Sequence, residues 1–269
     1  MGTVRAGFLG LICLLLLFPL WLMVSNSFTP TRAFLKTPPQ LIPTELTLDN
    51  YAAILRLPHI TKWAGNSILV TALIVAGGVL VNGAAGYVFA FTSGKLWVVI
   101  FWVMLAPIFV SRMVLIISQF VVVGKLGMHG LPAVVSMAVY WPMGIFLFRN
   151  YFATIPASLL ESARMDGAEE WAIFSRVVMP LCKPVMGASV VFLGMAAMGD
   201  YAWQMLNLQP VELQTALVGL INSTTDVRVV TNIGYDLAVG TVLFVPYLVL
   251  FAFSSRYFVK GLTLGAAKE

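Results

Sequence analysis

Long stretches without a charged residue constrain the fold of this chain more than any other feature. Four such stretches lie between Arg5 and Arg32, Lys62 and Lys95, Lys125 and Arg149, and Asp236 and Arg256. Each holds 19 or more residues. A helix of about 20 apolar residues spans the hydrocarbon core of a bilayer, whereas a barrel strand needs only about 10 and alternates in polarity. These stretches do not alternate, so they predict transmembrane helices.

Two further apolar stretches each carry one charge, Arg112 in one and Asp200 in the other. Together with the first four they predict six spans, at about 8–28, 64–91, 96–124, 131–149, 185–206 and 237–256. Only 10% of the residues are charged and 60% are hydrophobic, whereas soluble domains have about 25% and 45–50%. The sequence therefore predicts an all-α membrane protein with six transmembrane helices.

The distribution of basic residues predicts that both termini are cytoplasmic. An even number of spans places both termini on one side. In this orientation the inner segments hold Arg5, Lys95, Arg149, Arg164, Arg176, Lys183, Arg256, Lys260 and Lys268. The outer segments hold Arg32, Lys36, Arg56, Lys62, Lys125 and Arg228. This bias favours the stated orientation. The net charge of +5 suits an anionic membrane lipid surface and requires no nucleic-acid partner.

The outer side would carry two sizeable segments, about 29–62 and 207–236. In the first, Asp49 is a good N-cap for a short helix whose apolar face holds Tyr51, Ile54 and Leu55, before Pro58 stops it. In the second, one helical face holds Leu213, Ala216, Leu217 and Leu220. Each helix could lie on the membrane surface or receive an extracytoplasmic partner, and periodicity does not distinguish these alternatives.

The inner segment 150–184 predicts two short helices joined by a tight turn. Pro156 suits the first turn of a helix over Ala157–Met165, and Gly167 suits its left-handed C-terminal cap. A second helix would start at Ala168 and end near Pro180 and Pro184. Its apolar face would hold Trp171, Phe174, Val177 and Val178. Such a unit could dock in a groove of another protein, or it could be an ordinary loop of interfacial helices.

The same segment resembles the EAA signature of binding-protein-dependent ABC importer permeases, which reads E-A-A, three residues, G, nine residues, I-x-L-P. Here the pattern runs from Glu161-Ser162-Ala163 through Gly167 to Val177, Met179 and Pro180. Asn66-Ser67, the residues 152–156 and the tail 256–266 are also similar to this family, and the tail is similar to its carbohydrate, maltose-type group. Ser162, Val177 and Met179 depart from the signature only by small or apolar replacements.

The resemblance implies the transmembrane fold of a type I ABC importer and a non-catalytic permease subunit in a prokaryotic plasma membrane. Its partners would be a second homologous permease, two ATPase subunits and an extracytoplasmic substrate-binding protein. This chain has no G-x-x-x-x-G-K-[ST] motif, so ATP and Mg would be used by the partner ATPase and no cofactor would bind here. The coupling contacts to the ATPase would come from Leu159, Glu161, Ser162, Ala163, Met165, Asp166, Gly167 and Phe174.

Charges inside a bilayer are costly and usually functional. Arg112 lies 17 residues beyond Lys95, and Asp200 lies 17 residues beyond Lys183. At 1.5 Å per residue both would lie about 25 Å from those lysines, so they could pair or line one cavity. We expect both to face the substrate path, together with Asn82, Gln119, Tyr201, Trp203 and Gln204. The alternative is that these polar residues only hold helices together.

The sequence divides into a first helix with an outer segment at 1–62, a transmembrane core at 63–258 that contains the coupling loop 150–184, and a cytoplasmic tail at 259–269. Six spans without an internal repeat indicate half of a larger pore. An ion-coupled secondary transporter is the main alternative, although it would show repeats and midplane carboxylates. A membrane enzyme is disfavoured because the chain has two histidines and no paired intramembrane carboxylates. The solute could be a sugar, a polyol or a sugar phosphate.

Overall fold

The computed structural model describes residues 2–34, 42–224 and 232–266, with side chains described for 5–34, 42–224 and 232–252. Within these ranges the regular structure is entirely helical. The helices are α1 Gly2–Asn26, α2 Thr31–Phe34, α3 Asp49–Leu55, α4 Ile60–Phe91, α5 Lys95–Leu105, α6 Arg112–Lys125, α7 Leu131–Ala138, α8 Pro142–Phe152, α9 Ala157–Met165, α10 Glu170–Ala172, α11 Met179–Leu181, α12 Lys183–Gly199, α13 Tyr201–Asn207, α14 Ala216–Thr224 and α15 Ile233–Ala266. Short 3₁₀ segments cover Ala106–Phe109 and Val211–Leu213, and Ile173–Val178 forms a π-helix.

Three of the described helices, α1, α4 and α15, are individually long and apolar enough to cross a membrane. Three bent pairs of helices pass the same test together: α5 with α6, α7 with α8, and the stretch from α10 to α11 with α12. Counting each bent pair as one span gives up to six, which is the predicted number. The helix that contains the last span is longer than predicted, since α15 runs from Ile233 to Ala266. Residues 267–269 of the predicted tail lie outside the described ranges.

The predicted third span, 96–124, is not one continuous helix. The chain turns by 114° between Lys95–Phe109 and Arg112–Lys125. Pro107 lies in the 3₁₀ segment, and Val110 and Ser111 adopt extended backbone, with ψ angles of 128° and 132°. Because proline lacks an N–H group and two extended residues follow, the α-helical hydrogen bonds cannot continue. The α6 helix therefore runs across the direction of α5, and Arg112 lies at the break.

The predicted fourth and fifth spans are also interrupted. The α7 and α8 helices meet at 45°, where Trp141 is extended before Pro142. The predicted span 185–206 ends as a helix at Gly199, and Asp200 separates α12 from α13. In that break the Asp200 carboxylate accepts a hydrogen bond from the Trp203 N–H at 3.4 Å. Asp200 is thus the N-cap of α13 rather than a residue inside a continuous helix.

The long helix α4 packs against α7, α8 and α12. Small residues allow its backbone to approach these neighbours closely, as is common in membrane bundles. A Cβ atom at Gly86 would lie 2.6 Å from Phe148 Cβ and 2.9 Å from the Arg149 backbone nitrogen. One cluster of buried residues joins α4 to the segment 150–184 and includes Tyr87, Phe148, Phe152, Leu160, Ile173, Phe174 and Val178. The predicted coupling loop is therefore anchored on the core.

The two predicted outer segments pack on the ends of α4 and α15. Ile54 of α3 and Leu220 of α14 are buried in one cluster with Trp63, Ala238 and Val239. Three details differ from the prediction. Leu48 is the N-cap of α3 in place of Asp49, Leu55 is 73% exposed, and Leu213 belongs to a 3₁₀ turn before α14. Residues 225–231 of the second segment lie outside the described ranges. Docking of an extracytoplasmic partner on these segments stays a prediction.

Candidate functional site

The α9 helix and its C-terminal turn form a compact unit with the predicted bounds, Ala157–Met165. Gly167 has a φ of +82°, in the left-handed region that glycine adopts at little cost. The Gly167 N–H donates to the Arg164 carbonyl at 3.0 Å, and the Ala168 N–H donates to the Ala163 carbonyl at 3.0 Å. These two bonds define a Schellman motif, which satisfies carbonyl groups at the end of the helix. The turn is therefore fixed by backbone bonds.

The second helix of the loop differs from the prediction. It begins at Glu170 instead of Ala168, and it is π-helical over Ile173–Val178. Pro180 follows inside α11, and it cannot donate the N–H group that an α-helix would need there. The buried face also differs from the prediction. Trp171 is 65% exposed, whereas Ile173, Phe174 and Val178 are buried.

The predicted coupling residues separate into an outward and an inward set. Leu159, Glu161, Ser162, Met165, Asp166 and Gly167 are exposed. Met165 is 88% exposed, which is unusual for a large apolar side chain on a loop that lies between spans. Ala163 is half-buried and Phe174 is buried, and both pack in the cluster that joins the loop to α4. The outward set could contact another protein, while the inward set holds α9 in place.

A polar network joins α9 to α4, and the sequence did not single it out. The Tyr87 hydroxyl donates to Glu170 Oε2 at 2.6 Å, and Arg164 Nε donates to Glu170 Oε1 at 2.7 Å. Arg164 and Glu170 lie on opposite sides of the Gly167 turn, so the turn itself is the signal that could have suggested the pair. Tyr87 is distant in sequence and gives no such signal.

The network fixes the charge of Glu170. Hydrogen bonds from Arg164, and then from Tyr87, hold the pKa of the Glu170 carboxyl below its usual 4.5. Because folding lowers the pKa of Glu170, the ionised carboxylate contributes stability at pH values above its unfolded pKa. That contribution is lost as the pH falls through the lowered pKa of the folded state. The Glu170 carboxylate is therefore ionised, and its network stays formed, throughout the neutral range.

Arg112 and Asp200 form an ion pair where two of the broken helices meet. Arg112 Nη2 lies 2.6 Å from Asp200 Oδ2, and the side chains are 47% and 14% exposed. Arg112 is the first residue of α6, and Asp200 precedes α13. A basic residue at a helix N-terminus is electrostatically unfavourable, so the carboxylate of Asp200 offsets a cost that the helix imposes.

The ion pair lines a cavity of about 310 Å³. The wall also includes Gln119 of α6 and the aromatic residues Tyr140 and Trp141 between α7 and α8. Gln119 Oε1 is buried and accepts no hydrogen bond. Tyr201 lines an adjoining, more open cavity with the same ion pair, and its hydroxyl donates to Asn222 at 3.2 Å. The structure thus brings Arg112, Gln119, Asp200 and Tyr201 together.

The other three predicted path residues point into protein instead of this cavity. Asn82 is fully buried, donates to the Gly78 and Val139 carbonyls, and accepts from the Trp141 N–H. Trp203 is fully buried in a cluster with Val70 and Ile74. Gln204 donates to the Ala197 carbonyl at 2.6 Å and accepts from Thr215. Asn82 supports the cavity from behind, because it holds the backbone of Trp141.

We expect Asn82→Leu to destabilise the protein by about 1–3 kcal/mol, because it leaves the buried N–H of Trp141 and the carbonyl of Val139 without partners. Thermal unfolding in detergent measures this effect. Gln119→Leu is the matched control. It also replaces an amide side chain by leucine, but the amide oxygen that it removes accepts no hydrogen bond. The expectation is contradicted if both variants unfold at the same temperature as the unmodified chain.

Comparison with known proteins adds independent information. Residues 83–263 match the family model described as binding-protein-dependent transport system inner membrane component. The chain is 30% identical to an arabinooligosaccharides transport system permease protein of Halalkalibacterium halodurans, over 99% of this chain and 95% of that protein. It is 29% identical to a galactooligosaccharides transport system permease protein of Bacillus subtilis, over 97% and 93% of the two chains. It is 24% identical to an sn-glycerol-3-phosphate transport system permease protein of Brucella suis, over 91% and 90%.

A solved structure has the same fold. It is that of a bacterial ABC transporter involved in the import of the acidic polysaccharide alginate. The match has a TM-score of 0.82 at 24% sequence identity and covers 96% of each chain.

Proposed function

Since this chain belongs to the family of binding-protein-dependent transport system inner membrane components, we propose that it forms half of the path of an ATP-driven carbohydrate importer. A separate ATPase would drive it through the loop Glu161–Pro184. The observation that carries this proposal is the shape of that loop. A short helix with two exposed apolar side chains, Leu159 near its start and Met165 at its end, is held on the core by buried Leu160 and Phe174.

The loop is suited to transmit force. The Schellman turn and the Tyr87–Glu170–Arg164 network connect α9 to the long helix α4. A movement of a partner against the exposed side of α9 would thus move α4 and the helices packed on it. Two ATPase subunits that close on ATP would pull two such loops together and turn the path outward. Hydrolysis of ATP, with Mg, would then restore the inward-facing state.

The proposal includes the orientation and the remaining partners. The loop 150–184 and both termini would lie in the cytoplasm, which agrees with the excess of basic residues on that side. A second homologous permease would complete the pore, and an extracytoplasmic binding protein would deliver the solute to the outer segments. An ion-coupled secondary transporter is not supported. The family consists of inner membrane components of binding-protein-dependent transport systems, and the relatives are permease proteins of oligosaccharide transport systems.

A carbohydrate solute is supported by the relatives. Two of them are permease proteins of arabinooligosaccharides and galactooligosaccharides transport systems, and a third is a permease protein of an sn-glycerol-3-phosphate transport system. The cavity beside Arg112 and Asp200 adds a physical reason. Aromatic rings beside amide and charged groups suit a hydroxyl-rich solute, which has both polar and apolar faces.

Purification of the tagged chain from its native membrane in mild detergent tests the proposal. We expect a P-loop ATPase and a second permease to accompany it. Gly167→Pro should abolish recovery of the ATPase, because proline cannot adopt a φ of +82° and cannot donate to the Arg164 carbonyl. Gly167→Asn is the matched control, since asparagine tolerates the left-handed conformation, and it should retain the ATPase.

The two arms of the experiment separate two kinds of failure. An intact chain recovered without any ATPase contradicts the importer function itself. Equal recovery of the ATPase with Gly167→Pro and Gly167→Asn contradicts the assignment of α9 and its turn as the docking site.

A further inference from the structure

The cavity between the broken helices has the features of a binding site within this chain. It is formed where the helix breaks before Arg112 and at Asp200 meet, beside the extended residue Trp141. Interrupted helices at membrane depth are tolerated where they are buried in protein or line a cavity, and transporters often place substrate sites at such breaks. The cavity volume of about 310 Å³ suits one monosaccharide unit.

One polar group in this cavity lacks a partner. Gln119 Oε1 is buried and accepts no hydrogen bond, although buried polar atoms are rarely left in this state. Gln119 lines the cavity, so a rotation of its side chain would bring this oxygen to a hydroxyl donor of a sugar ring, which carries several. The neighbouring Tyr140 donates its hydroxyl hydrogen to the Met104 carbonyl and also lines the cavity. Trp141 adds a second aromatic wall.

The charges in the cavity cancel. Arg112 and Asp200 contact each other at 2.6 Å, so the pair presents no net charge to a solute. A phosphate or carboxylate that approaches the exposed part of Arg112 is repelled by the Asp200 carboxylate, unless it displaces Asp200 and leaves that carboxylate without its partner. A neutral hydroxyl group can instead donate to Asp200 or accept from Arg112 while the ion pair stays intact. Half of the Arg112 side chain is exposed for this purpose.

From these three observations we propose that this cavity binds one neutral monosaccharide unit of the transported solute, with Gln119 as hydrogen-bond acceptor and the Arg112–Asp200 pair as a filter against anions. This inference rests on the proposed importer function, and it assigns to this chain a direct contact with the solute. The aromatic walls would cover the apolar face of the sugar, and Asn82 would position Trp141 through the backbone.

Cysteine protection in the purified complex tests the inference. Ala196 is exposed and lines the cavity, so Ala196→Cys in a Cys13→Ser background provides a site for a small maleimide. The remaining Cys182 is buried. We expect arabinotriose or maltotriose to slow the alkylation at least about fivefold, and glycerol 3-phosphate to have no effect. Ala64→Cys lies in a separate apolar groove between α4 and α15, and its alkylation should be unchanged by any of the three.

Two variants assign the roles of the residues. Gln119→Leu should raise the sugar concentration needed for protection about tenfold, as expected for one lost hydrogen bond. Asp200→Asn removes the carboxylate that pairs with Arg112. Glycerol 3-phosphate should then bind to Arg112 and slow alkylation of the cysteine at position 196. Recovery of the ATPase and the unfolding temperature are measured in each preparation, and they show that the variants are folded and assembled.

The outcomes are distinct. Absence of the ATPase from every preparation contradicts the importer function. With the ATPase present, three results overturn the inference. Neither neutral sugar slows alkylation of the cysteine at position 196; or Gln119→Leu leaves the sugar concentration needed for protection unchanged; or glycerol 3-phosphate already slows alkylation in the chain that retains Asp200.

Discussion

Gly86→Ala is expected to lower the free energy of unfolding by about 1–3 kcal/mol, the usual cost of adding atoms to a packed interior. The added Cβ would lie 2.6 Å from Phe148 Cβ and 2.9 Å from the Arg149 backbone nitrogen. Neither atom belongs to a flexible side-chain end, so α4 and α8 must move apart. Thermal unfolding of the complex in detergent should show a decrease of several degrees.

The control for this prediction lies one turn earlier on the same helix. A Cβ at Gly83 would have its nearest contact at 3.5 Å, with Met179 Sδ. This is an ordinary van der Waals distance to a flexible side chain. Gly83→Ala should therefore leave the unfolding temperature nearly unchanged, or raise it slightly because alanine favours helix. Equal effects of the two substitutions would show that α4 and α8 do not approach closely at Gly86.

Local sequence signals predicted the first helix of the segment 150–184 well. Pro156 and Gly167 each restrict the backbone at their own position, and the helix between them, Ala157–Met165, has the predicted bounds. The following helix was predicted less well. Pro180 signals that an α-helical hydrogen bond is lost near the end of this helix, but a sequence pattern based on 3.6 residues per turn does not predict π-helical winding over Ile173–Val178.

The pairing of Arg112 with Asp200 was anticipated from their equal distance from two lysines, although the assumed straight helices were wrong. The two residues still meet, and the helical stretches before them, Lys95–Phe109 and Lys183–Gly199, are similar in length. The turn of 114° occurs where Pro107 is followed by the extended Val110 and Ser111, so the straight third span was the wrong prediction. The polarity of Asn82, Trp203 and Gln204 was visible in the sequence, whereas the direction in which each faces is set by helix rotation.

Glu170→Gln is expected to reduce solute uptake about 2- to 30-fold while the complex still assembles. Glu170 accepts hydrogen bonds from Tyr87 of α4 and from Arg164 of α9, so it lies between the proposed docking helix and the core. Changes along such a connection typically alter coupling by about 0.5–2 kcal/mol, which gives the stated range. Uptake into vesicles and ATP hydrolysis stimulated by the binding protein should both fall, while basal hydrolysis remains.

The small expected effect on stability makes this prediction specific. The side chains of Arg164 and Glu170 are 46% and 59% exposed, and exposed ion pairs contribute only about 0–1 kcal/mol. Loss of the pair alone should not unfold the loop, because the buried Leu160 and Phe174 still anchor it. A decrease in uptake with normal recovery of the ATPase would therefore reflect the transmission of movement.

A matched control separates the connection from the general charge of the loop. Glu169→Gln removes the same charge at the adjacent residue, whose side chain makes no capping hydrogen bond to α10, and it should leave uptake unchanged. Glu170→Gln leaves one acceptor oxygen for the two donors, and Tyr87→Phe removes the donor on α4, so either change breaks the connection from Arg164 through Glu170 to Tyr87. Tyr87→Phe should therefore reproduce the effect of Glu170→Gln, and the double variant should be no worse than either single one. Equal losses from Glu169→Gln and Glu170→Gln would instead assign the effect to electrostatic docking. Additive losses from Tyr87→Phe and Glu170→Gln would show that the two residues act separately, and α9 would then move α4 through its apolar contacts alone.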